Sequence, residues 1–305
     1  MTLPNFYIVG AGRCGSTSLY AYCRLHPQIG MSHLKEPNYF VFRDERPPLG
    51  GPGVARARRL AVRSARTYDR LFAAVAGRPV IGEASVNYVR FPRVCRAIRE
   101  ATPGARLVIV LRQPVDRAYS SFLRKRREGL EPCERFEEAW ADHERRAAGN
   151  WWHCMHKGKS LYHAQVRPYV EAFPAEQIHV VLSEEFRRDP PRTMAEVFSF
   201  LGVDPEPARR CNQLHHEGGE IRSWLLRQLW HGTTGLRAAL APAAPLPLRG
   251  RLFPILASRR GVWSGNPPLA PEPRERFTRE LRDDILRLQD LIGRDLTLWL
   301  RTAGS

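Results

Sequence analysis

The sequence predicts an α/β fold of three layers, in which helices cover both faces of a central parallel sheet. Two observations predict it: short strand-like runs alternate with helical patterns along the chain, and Leu107–Leu111 is apolar without interruption. Such alternation is typical of parallel sheets, and a strand buried on both faces reads as a continuous apolar run. The chain has 305 residues, 43% of them hydrophobic, which suffices for a large core. We therefore expect one domain spanning residues 1–305.

The elements follow one another in a regular order. Apolar and β-branched runs indicate strands, whereas apolar residues spaced three and four apart indicate helices. The predicted strands are 6–9, 80–81, 107–111 and 178–182. The predicted helices are 16–25, 92–101, 115–127, 161–172, 192–201 and 274–300. Two segments rich in proline, glycine and arginine, 47–66 and 233–273, predict loops or lids inserted in the domain.

Charge and composition restrict the class of partner. The net charge is +17 at pH 7, and nearly all of the positive charge comes from arginine. Two interpretations stay open. A genome of high GC content enriches arginine on any protein surface, whereas a strongly basic protein attracts anions such as phosphate esters, sulfated products, nucleic acid or acidic lipid. The arginines are spread along the chain and form no nucleic-acid-binding motif, so no specific nucleic-acid partner is expected.

Three features of the sequence predict the cellular location of the protein. The sequence opens on a core strand, not on a charged and apolar leader, and its longest apolar stretch is interrupted by prolines. Its six cysteines form no CxxC pair, as expected for reduced thiols. We expect a soluble, cytoplasmic protein, with peripheral contact to an acidic membrane surface left open.

The stretch VGAGRCGSTS, residues 9–18, lies between the first predicted strand and helix. Gly10 and Gly15 keep the glycine spacing of a Walker A phosphate loop, but Ser16 stands where that loop has lysine. Backbone N–H groups and hydroxyls at a helix start bind anions, and Arg13 adds a guanidinium fork. The loop therefore predicts an anion site that does not depend on the magnesium chemistry of a triphosphate.

A second stretch, LRQPVDRAYS at residues 111–120, follows the apolar strand. Arg112 ends that strand, and Ser120 lies about one and a half turns into the next helix. Both side chains can face the carboxyl edge of the sheet, where parallel α/β folds bind ligands. An arginine and a hydroxyl in this place predict a second phosphate-binding group.

Together the two stretches resemble the sulfotransferases that use 3′-phosphoadenosine 5′-phosphosulfate (PAPS). Residues 9–18 are similar to their 5′-phosphosulfate loop and residues 111–120 to their 3′-phosphate motif. LKEPNYF, residues 34–40, resembles the segment with the catalytic glutamate in the heparan-sulfate-type branch. Residues 159–203 resemble the later helix, strand and helix of that branch, and residues 274–300 resemble the ends of bacterial members.

The resemblance implies a P-loop-like fold, PAPS as sulfuryl donor, adenosine 3′,5′-bisphosphate as product and no metal. It implies that Glu36 takes the proton from an acceptor hydroxyl or amine, while Arg13 stabilises charge on the leaving group. Arg112 and Ser120 would hold the 3′-phosphate, and Arg259, Arg260 and Gly261 would close over the nucleotide. The residues expected to bind the donor are Gly12, Arg13, Cys14, Gly15, Ser16, Thr17, Arg112, Ser120, Arg259, Arg260 and Gly261.

Several roles stay open. His33 competes with Glu36 as base, because an unperturbed imidazole titrates near neutral pH. Glu83 is a third candidate base, and it could instead position the acceptor or pair with Arg13. Lys35, Ser85 and Asn87 are further candidates for the acceptor cleft. The ligand types in WWHCMH, residues 151–156, lack the spacing of a zinc site, so no metal is expected there.

Two other classes compete with this interpretation. A P-loop kinase of nucleotides or small molecules needs a loop lysine and a magnesium-binding aspartate, and neither is evident. A basic nucleic-acid-binding protein is favoured only by the net charge. The acceptor could be a carbohydrate, a lipid or a secondary metabolite, and the oligomeric state cannot be read from the sequence.

Overall fold

The centre of the fold is a five-stranded parallel sheet. The computed structural model describes residues 2–44, 48–212, 219–221, 263–265 and 267–301. The spatial order of the strands is β2-β3-β1-β4-β5, and every neighbouring pair is parallel. The predicted three-layer α/β class is confirmed. The strands are β1 (Phe6–Gly10), β2 (Ile29–Met31), β3 (Val80–Ala84), β4 (Arg106–Leu111) and β5 (Ile178–Leu182).

Helices connect the strands and surround the sheet. The described helices are α1 (Ser16–Leu25), α2 (Tyr39–Phe42), α3 (Val54–Leu60), α4 (Ala65–Arg70), α5 (Pro92–Ala101), α6 (Pro114–Arg127), α7 (Phe136–Ala141), α8 (His143–Ala148), α9 (Tyr162–Ala172), α10 (Ser183–Arg188), α11 (Pro190–Phe200), α12 (Pro271–Glu280) and α13 (Arg282–Ile292).

Strand order determines where a ligand crevice forms. The chain leaves β1 for β2 and β3 on one side, and then crosses to β4 and β5 on the other. The loops after β1 and β4 therefore diverge at the carboxyl edge of the sheet, which is where open α/β sheets bind ligands. These two loops lie within the two motifs singled out by the sequence, residues 9–18 and 111–120.

The segment 47–66, predicted as a loop, contains helix α3 and the start of α4. Gly53 precedes α3 with φ +77°, a conformation that glycine adopts without steric cost. The Ser64 hydroxyl caps α4 by accepting a hydrogen bond from the Thr67 N–H. These caps start short helices in a stretch whose arginines and glycines hide any periodicity.

The prediction of one continuous helix over residues 274–300 was wrong, because two helices occupy this range. The helical path breaks at Leu281, where α12 ends and α13 begins, and α13 stops at Gly293 with φ +61°. Phe277 before the break and Ile285 after it are both buried, so the apolar face continues although the helix does not. A short 3₁₀ turn, Thr297–Trp299, follows.

The chain divides into two compact units, Met1–His216 with Leu269–Ser305, and Glu217–Pro268. In the second unit, β6 (Gly219–Ile221) pairs antiparallel with β7 (Trp263–Gly265). Most of the predicted loop 233–273 lies outside the described residues, as do Arg259, Arg260 and Gly261. Among the described helices, none has the length and apolar character needed to cross a membrane.

Candidate active site

The loop after β1 turns sharply at the carboxyl edge of the sheet. Arg13 has φ +75° and Gly15 has φ +104°. A Cβ on Gly15 would be strained at this φ and would lie 3.3 Å from the Phe186 ring, so glycine suits this position. The first N–H groups of α1, from Ser16 onward, have no partner within the helix and carry its positive dipole end. The loop thus presents backbone donors beside the Arg13 side chain.

Arg13 and Ser120 bring the two sequence motifs together. The Arg13 Nε and Nη2 atoms both donate to the Ser120 Oγ, at 3.2 and 2.9 Å. Burial, and then the nearby charges of Arg124, Arg127 and Arg112, together lower the pKa of Arg13 to about 10. Because like charges gathered in one place favour an anion between them, this arrangement is suited to a phosphate-bearing ligand.

Arg112 follows β4 and lies at the same edge. Its backbone carbonyl accepts a hydrogen bond from the Tyr162 hydroxyl at 3.0 Å, and that hydroxyl lies 3.7 Å from the Cys14 Sγ. The Arg112 Nε is buried and has no hydrogen-bond partner among the described residues. Burial raises the pKa of Cys14 to about 11, so its thiol stays protonated. Arg112 therefore keeps a donor available at the site.

Arg187 is a cation at this edge that the sequence reasoning missed. It lies on α10, which packs on the loop through Phe186. The Arg187 side chain is exposed, and partial desolvation, followed by the charge of Arg112, lowers its pKa. The Glu184 carboxylate on the same helix accepts from the Gln113 N–H at 2.9 Å, while its Oε2 is buried with no partner in the described chain. A helix from a distant part of the sequence thus adds charge to the predicted phosphate site.

Glu36 is attached to the end of β3. Its N–H donates to the Ala84 carbonyl at 2.9 Å, and its Oε2 accepts from the Val86 N–H at 3.1 Å. Its Oε1 accepts from the Lys35 Nζ at 2.9 Å. Glu36 has φ +63°, a left-handed conformation that costs free energy in a residue other than glycine and is common at functional sites. The carboxylate is held in one place by backbone contacts.

The predicted acceptor residues Lys35, Ser85 and Asn87 lie around Glu36. The Ser85 side chain is fully buried, and its Oγ accepts from the Asn38 N–H at 3.0 Å. The Asn38 side chain donates to the Glu36 carbonyl at 2.8 Å and lies 3.4 Å from the Asn87 amide. These side chains therefore support the loop that carries Glu36. Ser85 is fully engaged in that support, whereas Lys35 and Asn87 are partly exposed.

The two alternative bases have different surroundings. His33 is exposed, and its Nδ1 lies 3.2 Å from the Leu71 carbonyl, which fixes one ring nitrogen as the donor. Glu83 is fully buried, and its Oε2 accepts from the Tyr68 and Tyr88 hydroxyls. Burial raises the pKa of Glu83 to about 7, although hydrogen bonds from hydroxyl groups lower it in part. The expected alternative of an ion pair between Glu83 and Arg13 does not form.

Arg117, on α6, is buried. Its Nε donates to the Ser160 Oγ at 2.8 Å and its Nη2 to the His156 carbonyl at 2.6 Å. Among the described residues, the possible ligand atoms of Glu131, Cys154 and His156 lie within 4.8 Å of one another. Both Glu131 oxygens already accept from Arg146, whose charge opposes a cation. This group forms a buried ion-pair network.

Comparisons with known proteins identify the family to which this chain belongs. The family model described as "Sulfotransferase family" matches residues 4–207, and the chain belongs to that family. A crystal structure of a sulfotransferase from Alicyclobacillus acidocaldarius is 30% identical, with a TM-score of 0.75, and the match covers 99% of this chain and 100% of that one. Sulfuryl transfer is therefore the supported class of chemistry.

Curated relatives include enzymes named for glycan substrates. Carbohydrate sulfotransferase 15 of Mus musculus is 26% identical over 261 residues, covering 67% of this chain and 44% of that protein. Bifunctional heparan sulfate N-deacetylase/N-sulfotransferase 4 of Mus musculus is 26% identical over 217 residues, covering 67% of this chain and 23% of that protein. This chain thus spans less than half the length of either relative.

Proposed function

We propose that this protein transfers a sulfuryl group from PAPS to a hydroxyl or amine of a carbohydrate, lipid or secondary-metabolite acceptor. The observation that carries the proposal is the pair of hydrogen bonds from Arg13 to Ser120. Through this contact the anion loop after β1 and the motif after β4 form one continuous site. A donor with anionic groups at both its 5′ and 3′ positions matches a site built from two motifs.

The reaction would be an in-line displacement at sulfur. The acceptor oxygen or nitrogen attacks the sulfur, the bond from sulfur to the 5′-phosphate oxygen breaks, and Glu36 takes the acceptor proton. The Glu36 carboxylate is suited to this step because backbone and Lys35 donors fix its two oxygens. Arg13 and the N–H groups at the start of α1 would stabilise the negative charge that develops on the leaving phosphate.

The 3′-phosphate would bind between the two motifs. Arg112 has an unengaged, buried Nε, and Ser120 offers a hydroxyl on the first turns of α6. A charge-assisted hydrogen bond from arginine to phosphate is about twice as strong as a neutral one. These two residues would therefore distinguish the donor from nucleotides that lack a 3′-phosphate, such as ADP.

Among acceptor classes, the names of the curated relatives favour a carbohydrate.

The kinase alternative is disfavoured because Ser16 occupies the position at which a phosphate loop carries its lysine. Without that lysine, the loop lacks the group that reaches the β- and γ-phosphates of a triphosphate. The family match supports the same choice.

Calorimetric titration of the purified protein with adenosine 3′,5′-bisphosphate and with ADP, both without magnesium, tests the proposal. We expect tight binding of the bisphosphate, a clear preference over ADP, and loss of that preference in Arg112→Ala. Arg167→Ala serves as the control, since Arg167 is an exposed arginine on α9 paired with Glu171. Equal affinity for both nucleotides in the wild-type protein contradicts the proposal. A requirement for magnesium would favour the kinase alternative.

A further inference from the structure

Two cations lie next to each other with no carboxylate between them. Arg90 donates from Nη1 to the Trp152 carbonyl at 3.1 Å, and Lys159 donates from Nζ to the same oxygen at 2.7 Å. The other terminal nitrogen of Arg90, Nη2, reaches the Trp151 carbonyl at 3.3 Å. Because both heads share one acceptor oxygen, they must lie close together. In the described part of the chain, neither forms an ion pair with a carboxylate.

The surroundings add positive charge and little negative charge. Burial lowers the pKa of Lys159 well below its usual range, and the charges of Arg90, Lys125 and Arg117 add to the effect. Burial likewise lowers the pKa of Arg90 to about 10. The neighbouring carboxylate of Glu128 is already engaged, because Lys125 and Arg124 hold its two oxygens.

Unpaired cations in such a place are costly for the ligand-free protein. Taking a charge out of water without a partner costs several kcal/mol in general, and proteins ordinarily pair buried charges or bind them to ions. The carbonyl dipoles of Trp151 and Trp152, together with the Phe91 and Trp152 rings over which the Arg90 guanidinium lies, offset part of this cost. An anionic group would compensate the rest, since Lys159 retains N–H donors beyond the single hydrogen bond to Trp152.

The pair lies beside the proposed acceptor side of the site. Arg90 ends the 3₁₀ turn Tyr88–Arg90, which follows Val86, the residue whose N–H holds Glu36. The buried charge of Arg117 acts to lower the pKa of Arg90 and of Lys159, and it also acts on Cys14 in the nucleotide loop. The pair thus lies near that loop, but neither Arg90 nor Lys159 belongs to the two nucleotide motifs, so the anion expected between them would be distinct from the phosphates of the donor.

We propose that Arg90 and Lys159 form a second anion site, which binds a carboxylate, phosphate ester or sulfate ester outside the nucleotide loop. The group could belong to a free anion or to the acceptor. The second possibility rests on the proposed function, because it makes the site a determinant of acceptor choice. In that case the site would select acceptors with a negative charge near the hydroxyl or amine to be sulfated.

The first experiment titrates inorganic sulfate into protein saturated with adenosine 3′,5′-bisphosphate, so that the nucleotide phosphate sites are filled. We expect sulfate affinity to fall about tenfold or more in Arg90→Gln and Lys159→Gln, as for loss of a charge-assisted hydrogen bond. Lys157→Gln is the matched control, because Lys157 is two residues away and pairs with Glu280. Affinity for the bisphosphate should be unchanged in all three variants.

Unchanged sulfate affinity in Arg90→Gln and Lys159→Gln, with bisphosphate binding intact, overturns the site. The midpoint of unfolding of the anion-free protein distinguishes a structural role of Lys159 from a role in binding an anion. If Lys159 serves to bind an anion, Lys159→Gln leaves that midpoint unchanged or raises it, because the substitution removes an uncompensated charge. A clearly lower midpoint in Lys159→Gln indicates a structural lysine and contradicts the proposal.

The second experiment distinguishes the two sources of the anion. p-Nitrophenyl glucuronide and p-nitrophenyl glucoside of the same anomeric form differ only at C6, which is a carboxylate in the first and a hydroxymethyl group in the second. Their affinities are measured with the bisphosphate-saturated protein. Tighter binding of the glucuronide, lost in Lys159→Gln, supports an anionic acceptor. Sulfate binding without that preference assigns the site to a free anion and overturns the acceptor role. Failure of the proposed function has a different signature, namely no preference for the bisphosphate over ADP.

Discussion

Removing the Ser120 hydroxyl tests the junction between the two motifs. Ser120→Ala deletes the oxygen that accepts from two nitrogens of Arg13, at 3.2 and 2.9 Å. It also deletes the hydroxyl proposed to bind the 3′-phosphate. A hydrogen bond to a charged group contributes about 1.5–3 kcal/mol. Because about 1.4 kcal/mol corresponds to a tenfold change, we expect the Kd for adenosine 3′,5′-bisphosphate to rise about 10-fold to about 100-fold.

Calorimetric titration of wild-type and variant protein measures this effect. ADP should lose less affinity than the bisphosphate, because it shares only the contacts that depend on Arg13 and has no 3′-phosphate. Ser121→Ala is the matched control, since Ser121 is the next residue on α6 and is also buried. The reasoning is refuted if Ser120→Ala binds the bisphosphate as tightly as wild type. An equal loss for both nucleotides would falsify the assignment of Ser120 to the 3′-phosphate.

Three further predictions follow from the site. Glu36→Gln should lower turnover with radiolabelled PAPS by about 10²-fold to about 10⁴-fold, while the affinity for the donor stays unchanged. If His33→Asn loses turnover and Glu36→Gln keeps it, the histidine is the base. Arg187→Ala should weaken bisphosphate binding several-fold in titrations, while Arg188→Ala should not; equal values for the two variants exclude Arg187 from the site. Burial raises the pKa of Glu83 from 4.5 to about 7, so between these pH values the folded protein holds a proton that the unfolded chain has lost. The free energy of unfolding should therefore fall by about 3 kcal/mol as the pH rises from about 4.5 to about 7. Urea unfolding at several pH values should show a smaller decline in Glu83→Gln, and identical profiles contradict this account.

Local patterns were sufficient to predict the parts of the fold that depend on neighbouring residues. The uninterrupted apolar run of β4 predicted a central strand, because only a strand covered on both faces tolerates that composition. The three-residue strand β2 was missed, since Ile29–Met31 is too short for a period to be visible. The break at Leu281 was missed for a related reason, because the apolar face runs on across it.

The site was predictable only where its residues lie in local motifs. Arg13, Arg112 and Ser120 stand at fixed offsets from a strand end, so their convergence follows from the topology of a parallel sheet. Lys159 lies almost 70 residues further along the chain than Arg90, and the two side chains meet at one carbonyl. The spacing of apolar residues in either segment does not indicate this contact. Pairings of this kind are decided by tertiary packing, to which single-sequence patterns are blind.

The contact between Arg13 and Ser120 also has an evolutionary consequence. A lysine at position 13 would present one ammonium group and no fork, so it could not direct two nitrogens at one hydroxyl. We therefore expect the residue at position 120 to depend on its fit to position 13 as well as on its fit to the ligand. We expect the two positions to covary among relatives of this chain, and a homologue that changes one of them should carry a compensating change at the other.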